Sequence, residues 1–185
     1  MNTLPRKFYL QDTVIVAKNL LGKKIIRKIG RTEISGIITE TEAYRHKDDP
    51  ASHAHRKITD RNKAMFGDVG MAYVYFTYGM YYCFNVVARN PKVAAGAVLI
   101  RAIEPEKGLK KMQKNRNKKD LKDLTNGPAK LTQAMEITKE HYGVDLTKSS
   151  KLYITEGIKA KNIVSSPRIG IKQATDKLWN FKINI

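Results

Sequence analysis

The chain has 185 residues, of which 35 are lysine or arginine and 17 are aspartate or glutamate, so its formal net charge at pH 7 is +18. Hydrophobic residues make up 42% of it, which is enough for a buried core and excludes a disordered basic tail. The excess positive charges repel one another in the folded state, and such an excess is typical of proteins with a polyanionic partner. Nucleic acid is the first candidate for this partner and an anionic membrane is the second.

The same sequence argues against a secreted or membrane-inserted protein. No apolar stretch approaches the roughly 20 residues of a membrane-spanning helix, and residues 1–10 lack the apolar run of a signal peptide. Cys83 is the only cysteine, which excludes an internal disulfide and a zinc site built from several cysteines. We therefore expect a protein of the reducing cytoplasm, and the length fits one domain that spans residues 1–185.

The first half of the sequence predicts a helix, two strands, a charged loop and an aromatic hairpin. In chain order these are residues 12–21, 23–30, 33–44, 45–70 and 71–88. Asp12 or Thr13 can cap the start of the helix, and Gly22 can end it. The loop carries Pro50, two glycines and three of the four histidines.

The second half predicts a further strand, two helices around a lysine-rich segment, and three short strands. In chain order these are a strand at residues 96–105, a helix from Glu106, a mobile lysine-rich loop at 110–124, a helix at 126–137 with Pro128 in its first turn, and strands near 152–156, 167–171 and 178–184. Strands mixed with a few helices, without regular βαβ alternation, indicate an α+β fold. We expect a single domain with a curved, mostly antiparallel sheet, flanking helices and a protruding aromatic β-hairpin.

The stretch ITETEAY at residues 38–44 places two acids at the end of a strand in a basic chain. Alternation of side chains would put Ile38, Glu40, Glu42 and Tyr44 on one face. A solvated strand end is the simplest explanation of the two glutamates. However, Arg101 lies within the apolar strand VLIRAI, and a buried arginine needs a carboxylate partner, which Glu40 or Glu42 could provide.

Five of the nine tyrosines fall within residues 73–82, in the predicted hairpin. Gly79 can supply the positive φ of a tight turn, and Tyr78 and Met80 flank it. One explanation of these apolar side chains is a hairpin buried against the rest of the domain. The other is a wedge that enters the minor groove of DNA, separates a base step and helps to eject a nucleotide.

Several long motifs, taken together, resemble the alkyladenine (3-methyladenine) DNA glycosylase family in its compact bacterial form. The matching segments run in the order of the family from about residue 5 to 183: ITETEAY, ASHAHR, RNKAMF, YVYFTYGMYYCFNV, VLIRAIEP and NGPAKL. The resemblance implies an enzyme that excises alkylated or deaminated purines from duplex DNA without a metal or a cofactor. Lesions of this class include 3-methyladenine, 7-methylguanine, hypoxanthine and ethenoadenine.

The resemblance also implies roles for individual residues. Glu42 would be the general base that activates water, Glu40 would be structural, and Arg101 would help to hold the water and Glu42. The base pocket would be formed by Tyr44 on one face of the flipped base, His53 and Tyr75 on the other, and Asn85 in the floor, where it disfavours the 2-amino group of guanine. Tyr78 would be the intercalating wedge, with Met80 beside it.

Two other functions are open on the sequence alone. A metal-dependent nuclease could use acids and a histidine as Mg²⁺ or Zn²⁺ ligands, from among Glu40, Glu42, Asp48, Asp49 and His53, although nothing in their spacing makes them converge. A non-catalytic nucleic-acid-binding module could use the tyrosines for stacking. For the glycosylase we expect damaged double-stranded DNA as the partner, no membrane, no metal, a monomer, and a place on the nucleoid.

Overall fold

The computed structural model describes residues 2–185, and in that range it contains eight strands in one sheet and four α-helices. The strands are β1 Lys24–Ile29, β2 Thr32–Tyr44, β3 Ala72–Thr77, β4 Tyr81–Val87, β5 Ala97–Lys107, β6 Leu152–Thr155, β7 Val164–Ser166 and β8 Asn180–Lys182. The α-helices are α1 Arg6–Tyr9, α2 Thr13–Leu20, α3 Leu109–Arg116 and α4 Pro128–Ala134. Short 3₁₀ helices cover Lys63–Phe66, Leu121–Asp123 and Lys139–His141. The predicted α+β fold with a curved antiparallel sheet is confirmed.

Strand β2 is the centre of the sheet, which has the order β3-β4-β5-β2-β1-β6 with β7 and β8 attached to one side. The first half of β2 pairs with β1, whereas Glu40, Thr41 and Glu42 pair with β8. The other edge of β2 pairs with β5 along nearly its whole length. All of these pairings are antiparallel, so a strand from the far C-terminal part of the chain lies directly beside the two glutamates.

Helix α2 covers the core-facing side of β2. Asp12 accepts a hydrogen bond from the Val14 N–H at the start of this helix, as the sequence predicts. The hydroxyl of Thr41 donates to the carbonyl of Ala17, which ties the strand to the helix inside the core. The glutamates of β2 are therefore carried on a strand whose opposite side is packed and hydrogen bonded.

The predicted alternation of β2 is wrong at Ile38. The register of β2 against β5 shifts between Ile38 and Glu40 and again between Glu40 and Thr41. Ile38 consequently packs in the main core together with Ala43, while Glu40 turns towards Arg101. A β-bulge of this kind adds a residue to one strand and changes the direction of the side chains that follow it. Strict alternation of side chains along a strand does not predict this change.

The lysine-rich segment is not the predicted loop. Strand β5 continues through Pro105 to Lys107, so no helix begins at Glu106, and α3 begins at Leu109 after Gly108. Met112 on α3 is completely buried in the core, and the side-chain amide of Asn115 donates to a carbonyl of α4. A single apolar anchor and packing on α4 therefore order a segment whose composition favours a solvated loop.

The C-terminal predictions are correct for two strands and wrong for one. Strands β6 and β8 lie within the predicted ranges, but β7 is Val164–Ser166 rather than residues 167–171. The segment that follows β7 places Arg168 in the interior instead of on a strand, and it is 4% exposed. Helix α1 is a four-residue element that the sequence analysis did not predict.

Replacing Gly22 with alanine should destabilise the fold more than replacing Gly30. Both residues have positive φ, which costs an alanine roughly 1–2 kcal/mol. A Cβ on Gly22 would also lie 2.4 Å from the carbonyl oxygen of Ile158, whereas a Cβ on Gly30 would meet no atom of residues 2–185 within 4 Å. We expect the free energy of unfolding, measured by urea denaturation, to fall by about 1–3 kcal/mol more for Gly22→Ala. Equal losses would contradict the close approach.

Candidate active site

Arg101 lies between the two glutamates of β2. Its Nε is 3.0 Å from Oε1 of Glu40, and its Nη1 is 3.5 Å from Oε2 of Glu42. The three side chains are between 0% and 12% exposed, so this is a charge cluster largely removed from water. Both glutamates thus provide the carboxylate partner that a buried arginine at position 101 needs.

Glu42 has no exposed side-chain surface, and its polar contacts within residues 2–185 are with donors. Oε1 accepts from the backbone N–H of Ile169 at 2.8 Å and from the amide of Asn180 at 3.0 Å. Oε2 accepts from the hydroxyl of Tyr44 at 2.7 Å and faces Arg101. This surrounding suits a carboxylate, which is an acceptor only.

Tyr44 remains a donor in this arrangement. Burial, and in second place the charge of Glu42, raise the pKa of Tyr44 far above its ordinary value, so its hydroxyl keeps the proton. Asn180 also donates to Oε1 of Glu40 at 2.7 Å. One amide from β8 therefore bridges the two glutamates of β2.

A cavity of about 410 Å³ opens above this cluster, a size typical of small-molecule and cofactor pockets. Six of the predicted site residues line it: Tyr44, His53, Tyr75, Tyr78, Asn85 and Arg101. Glu42 and Met80 are not in the lining, although Glu42 lies immediately beneath it through its bonds to Tyr44 and Ile169. The structure thus brings these six residues and Glu42 together from four parts of the chain, but not Met80.

The aromatic wall of the cavity is built on β3. The rings of His53 and Tyr75 meet edge to face with their centroids 4.7 Å apart, and Tyr73 lies 5.4 Å from Tyr75. Nδ1 of His53 is 2.9 Å from the hydroxyl of Tyr73. The guanidinium of Arg61 sits 5.0 Å from the centre of the Tyr75 ring, within the range of a cation–π contact.

Asn85 lies on β4, directly across from Tyr73 in the hairpin ladder. Its side-chain amide donates to the Tyr73 carbonyl at 3.0 Å, and the residue is 3% exposed. The amide is thereby held in one orientation at the cavity surface.

The tip of the β3–β4 hairpin carries the most exposed tyrosine. Tyr78 is 84% exposed and Met80 is 65% exposed. Tyr78 and Gly79 both have positive φ, as in the turns that suit tight hairpins, and the Met80 N–H donates to the Thr77 carbonyl. Positive φ costs a tyrosine on the order of 1–3 kcal/mol, and strain of this kind concentrates at functional sites.

Four residues that contact the site were not found from the sequence. Ile169 and Asn180 hold Glu42, and Arg168 forms a buried ion pair with Asp49 beside Tyr44. From the sequence, Asp49 was considered only as a conceivable metal ligand. No sequence signal links positions more than 115 residues apart, so only folding could identify these contacts.

The described part of the chain contains neither a metal-binding cluster nor a membrane-spanning helix. Within residues 2–185, no group of three or more His, Cys, Asp or Glu side chains is arranged to hold a metal ion. Across the same range, none of the helices is both long and apolar enough to span a membrane.

Comparison with known proteins shows the relationship of the chain. A model of the family described as methylpurine-DNA glycosylase (MPG) matches residues 7–185. The chain belongs to the methylpurine-DNA glycosylase family. A relative from Carboxydothermus hydrogenoformans is 49% identical over 96% of this chain and 93% of its own length.

Further relatives match over nearly the whole chain as well. Proteins from Clostridium acetobutylicum and Prosthecochloris aestuarii are each 46% identical over 97% of this chain, and over 93% and 86% of their own lengths. All three relatives bear the name "Putative 3-methyladenine DNA glycosylase". The match to the methylpurine-DNA glycosylase family includes every site residue described above, and it confirms the resemblance found in the motifs.

His53 should titrate well below an ordinary histidine. His53 is exposed at the cavity mouth, but partial desolvation of its ring against the cavity wall and, in second place, the positive charge of Arg61 lower its pKa from 6.5 to about 4. The imidazole of His53 is therefore neutral at pH 7 and becomes protonated only when the pH falls towards 4. An NMR titration of the His53 ring should show this, and Arg61→Gln should raise the pKa of His53. A wild-type value near 6.5 would contradict the described environment.

Proposed function

We propose that this member of the methylpurine-DNA glycosylase family flips alkylated or deaminated purines out of duplex DNA and hydrolyses their N-glycosidic bond. The product is an abasic site in an intact strand. The observation that carries the proposal is the position of Glu42: an enclosed carboxylate beside Arg101, beneath an aromatic-walled cavity. We further propose that residues 1–185 act as one glycosylase domain and as a monomer.

Glu42 is the proposed general base. It takes a proton from a water molecule whose oxygen bonds to C1′ of the deoxyribose, while the bond from C1′ to the purine breaks and its electron pair leaves with the base. The sugar passes through an oxocarbenium-like state, which the negative charge of Glu42 stabilises. These steps need neither a metal nor a cofactor.

The side of Glu42 that meets the water is proposed to be Oε2. Oε2 accepts one hydrogen bond, from Tyr44, whereas Oε1 already accepts two, from Ile169 and Asn180. The contact with Arg101 is longer than a hydrogen bond. A water molecule bound at Oε2 would also contact Arg101. The hydrogen bond from the Tyr44 hydroxyl to Glu42 would have to weaken to make room for it.

The cavity wall is the proposed binding site of the flipped base. Tyr44 would stack on one face, with His53 and Tyr75 on the other. An alkylated purine such as 3-methyladenine is cationic, and a cation–π contact with these rings is worth about 0.5–2 kcal/mol. Asn85 would disfavour the 2-amino group of guanine, since its amide is held at the cavity surface by the Tyr73 carbonyl.

The hairpin tip is the proposed wedge. Flipping a nucleotide costs a few kcal/mol, and an inserted side chain offsets part of this by filling the gap in the stack. Tyr78 would occupy the gap with Met80 beside it, and the exposure of both side chains supports this.

The positive charge of the chain is proposed to bind the DNA backbone. A second cavity of about 350 Å³ shares His53 and Arg61 with the first, and Arg56 and Lys57 also line it. Phosphates beside the flipped nucleotide would lie close to these cations. Binding should therefore weaken steeply as the salt concentration rises.

The reaction is tested with duplexes that contain a single 3-methyladenine-type or hypoxanthine lesion. The protein is incubated with each duplex in the presence of a chelator, and alkali then reveals abasic sites. We expect release of the base with an intact strand before alkali treatment. Strand cleavage that the chelator abolishes would instead support a metal-dependent nuclease.

Glu42→Gln should abolish excision and preserve DNA binding. The amide keeps the size of the side chain but cannot take the proton, so the single-turnover rate should fall by at least about 100-fold. The Kd for lesion-containing duplex should change little. Glu104→Gln is the matched control, because Glu104 is an exposed acid on β5 outside the cavity lining. Wild-type excision by Glu42→Gln would refute the catalytic assignment and favour a non-catalytic binding module.

Tyr78→Ser should weaken base flipping. The serine cannot fill a base step, so a 2-aminopurine probe next to the lesion should brighten less when the variant binds than when the wild type does. Ile158→Ser is the control, since it removes an exposed apolar side chain outside the hairpin. An unchanged probe signal in Tyr78→Ser would exclude the wedge.

A further inference from the structure

A buried arginine–aspartate pair lies behind the wall of the candidate site. Nη1 and Nη2 of Arg168 are each 2.6 Å from an oxygen of Asp49, and neither side chain has any exposed surface. Planar two-point contact of this kind fixes the relative orientation of the groups as well as their distance.

The pair connects the segment after β7 to the loop after β2. Asp49 also accepts hydrogen bonds from the backbone N–H groups of Arg45 and Ala51, which hold the start of the loop that follows β2. Arg168 donates to the Ala43 carbonyl at 2.9 Å, so it is bonded to the end of β2 as well.

The guanidinium of Arg168 also contacts two aromatic rings. Its central carbon is 4.7 Å from the centre of the Tyr44 ring and 5.2 Å from that of Trp179. Both distances are within the range of cation–π attraction. Arg168 thus packs against the ring of Tyr44, which is the ring proposed to stack on the base. Arg168 itself does not line the cavity.

The next residue after Arg168 is Ile169, whose N–H donates to Oε1 of Glu42 at 2.8 Å. Anchoring the Arg168 side chain on both Asp49 and the Ala43 carbonyl restricts the peptide that carries this N–H. The carboxylate is held on its other side by the Tyr44 hydroxyl, which belongs to the ring that Arg168 braces. Two of the donors to Glu42 therefore depend on one guanidinium.

We propose that Arg168 and Asp49 are positioning residues for hydrolysis, which hold the Ile169 N–H and Tyr44 against Glu42 without touching the base or the water. This inference rests on the proposed function of Glu42. A role in stability alone is a weaker explanation, since an apolar pair of similar volume would serve a core equally well or better. Among residues 2–185, the buried Nε of Arg168 finds no hydrogen-bond partner, which is a cost to stability.

The test is the single-turnover excision rate at saturating enzyme, for Arg168→Gln, Arg168→Lys and Asp49→Asn. This rate constant is independent of the fraction of folded protein, so a purely structural role would leave it unchanged at temperatures well below Tm. We expect a fall of about 10- to 100-fold for Arg168→Gln and Asp49→Asn, with Arg168→Lys in between. The Kd for a duplex with a tetrahydrofuran abasic analogue should stay within about two-fold of the wild type.

A second ion pair, which is only half-buried, supplies the controls. Arg6 and Asp145 also form an ion pair, at 2.5 Å, and Arg6 also donates to a backbone carbonyl, but neither residue lines the cavity. Arg6→Lys and Asp145→Asn should lower Tm and leave the excision rate constant at the wild-type value. If Arg168→Gln fails to fold, the excision rates of Asp49→Asn and Arg168→Lys still test the proposal.

The variants should also be non-additive. If the two side chains act as one unit, the double variant Asp49→Asn with Arg168→Lys should be no slower than the slower single variant. Wild-type excision rates in the Asp49 and Arg168 variants would overturn the inference while leaving the assignment of Glu42 intact. Absence of excision by the wild-type protein would instead refute the proposed function itself.

Discussion

The contact between Arg101 on β5 and the two glutamates on β2 is the constraint on which the site depends. Charges removed from water are costly unless each is paired and hydrogen bonded. Here one guanidinium faces two carboxylates, and Asn180 and the Ile169 N–H occupy remaining acceptor positions. The pairing of β2 with both β5 and β8 is therefore a condition for keeping Glu42 enclosed and oriented.

The site combines a rigid floor with a strained, exposed tip. The charge cluster and Asn85 are carried by strands in the middle of the sheet, where backbone pairing on two edges limits movement. The hairpin that begins in the same sheet ends in Tyr78, a tyrosine with positive φ and little contact with the rest of the protein. The proposed hydrolysis and the proposed insertion into DNA place opposite demands on a side chain, and the two ends of β3 and β4 differ in the corresponding way.

The segment from β7 to β8 completes the site from the far end of the sequence. It contributes the Ile169 N–H and Asn180 to Glu42, and Arg168 to the wall behind Tyr44. Its residues 169–173 also line the cavity. A segment with one three-residue strand at each end thus supplies half of the donors to the proposed general base, which explains why so much buried polar bonding is concentrated there.

The sequence by itself determined the fold class, the family and six of the side chains that line the cavity, because these follow from local patterns: hydrophobic periodicity, turn residues and long motifs. The path of the lysine-rich segment was decided by tertiary packing, since one buried methionine and a contact with α4 outweigh its polar composition. The irregularity in β2 and the pairing of Arg168 with Asp49 were likewise decided only by the folded structure. Both depend on which distant strand or loop lies alongside, and a physical contact across 119 residues leaves no trace in local spacing.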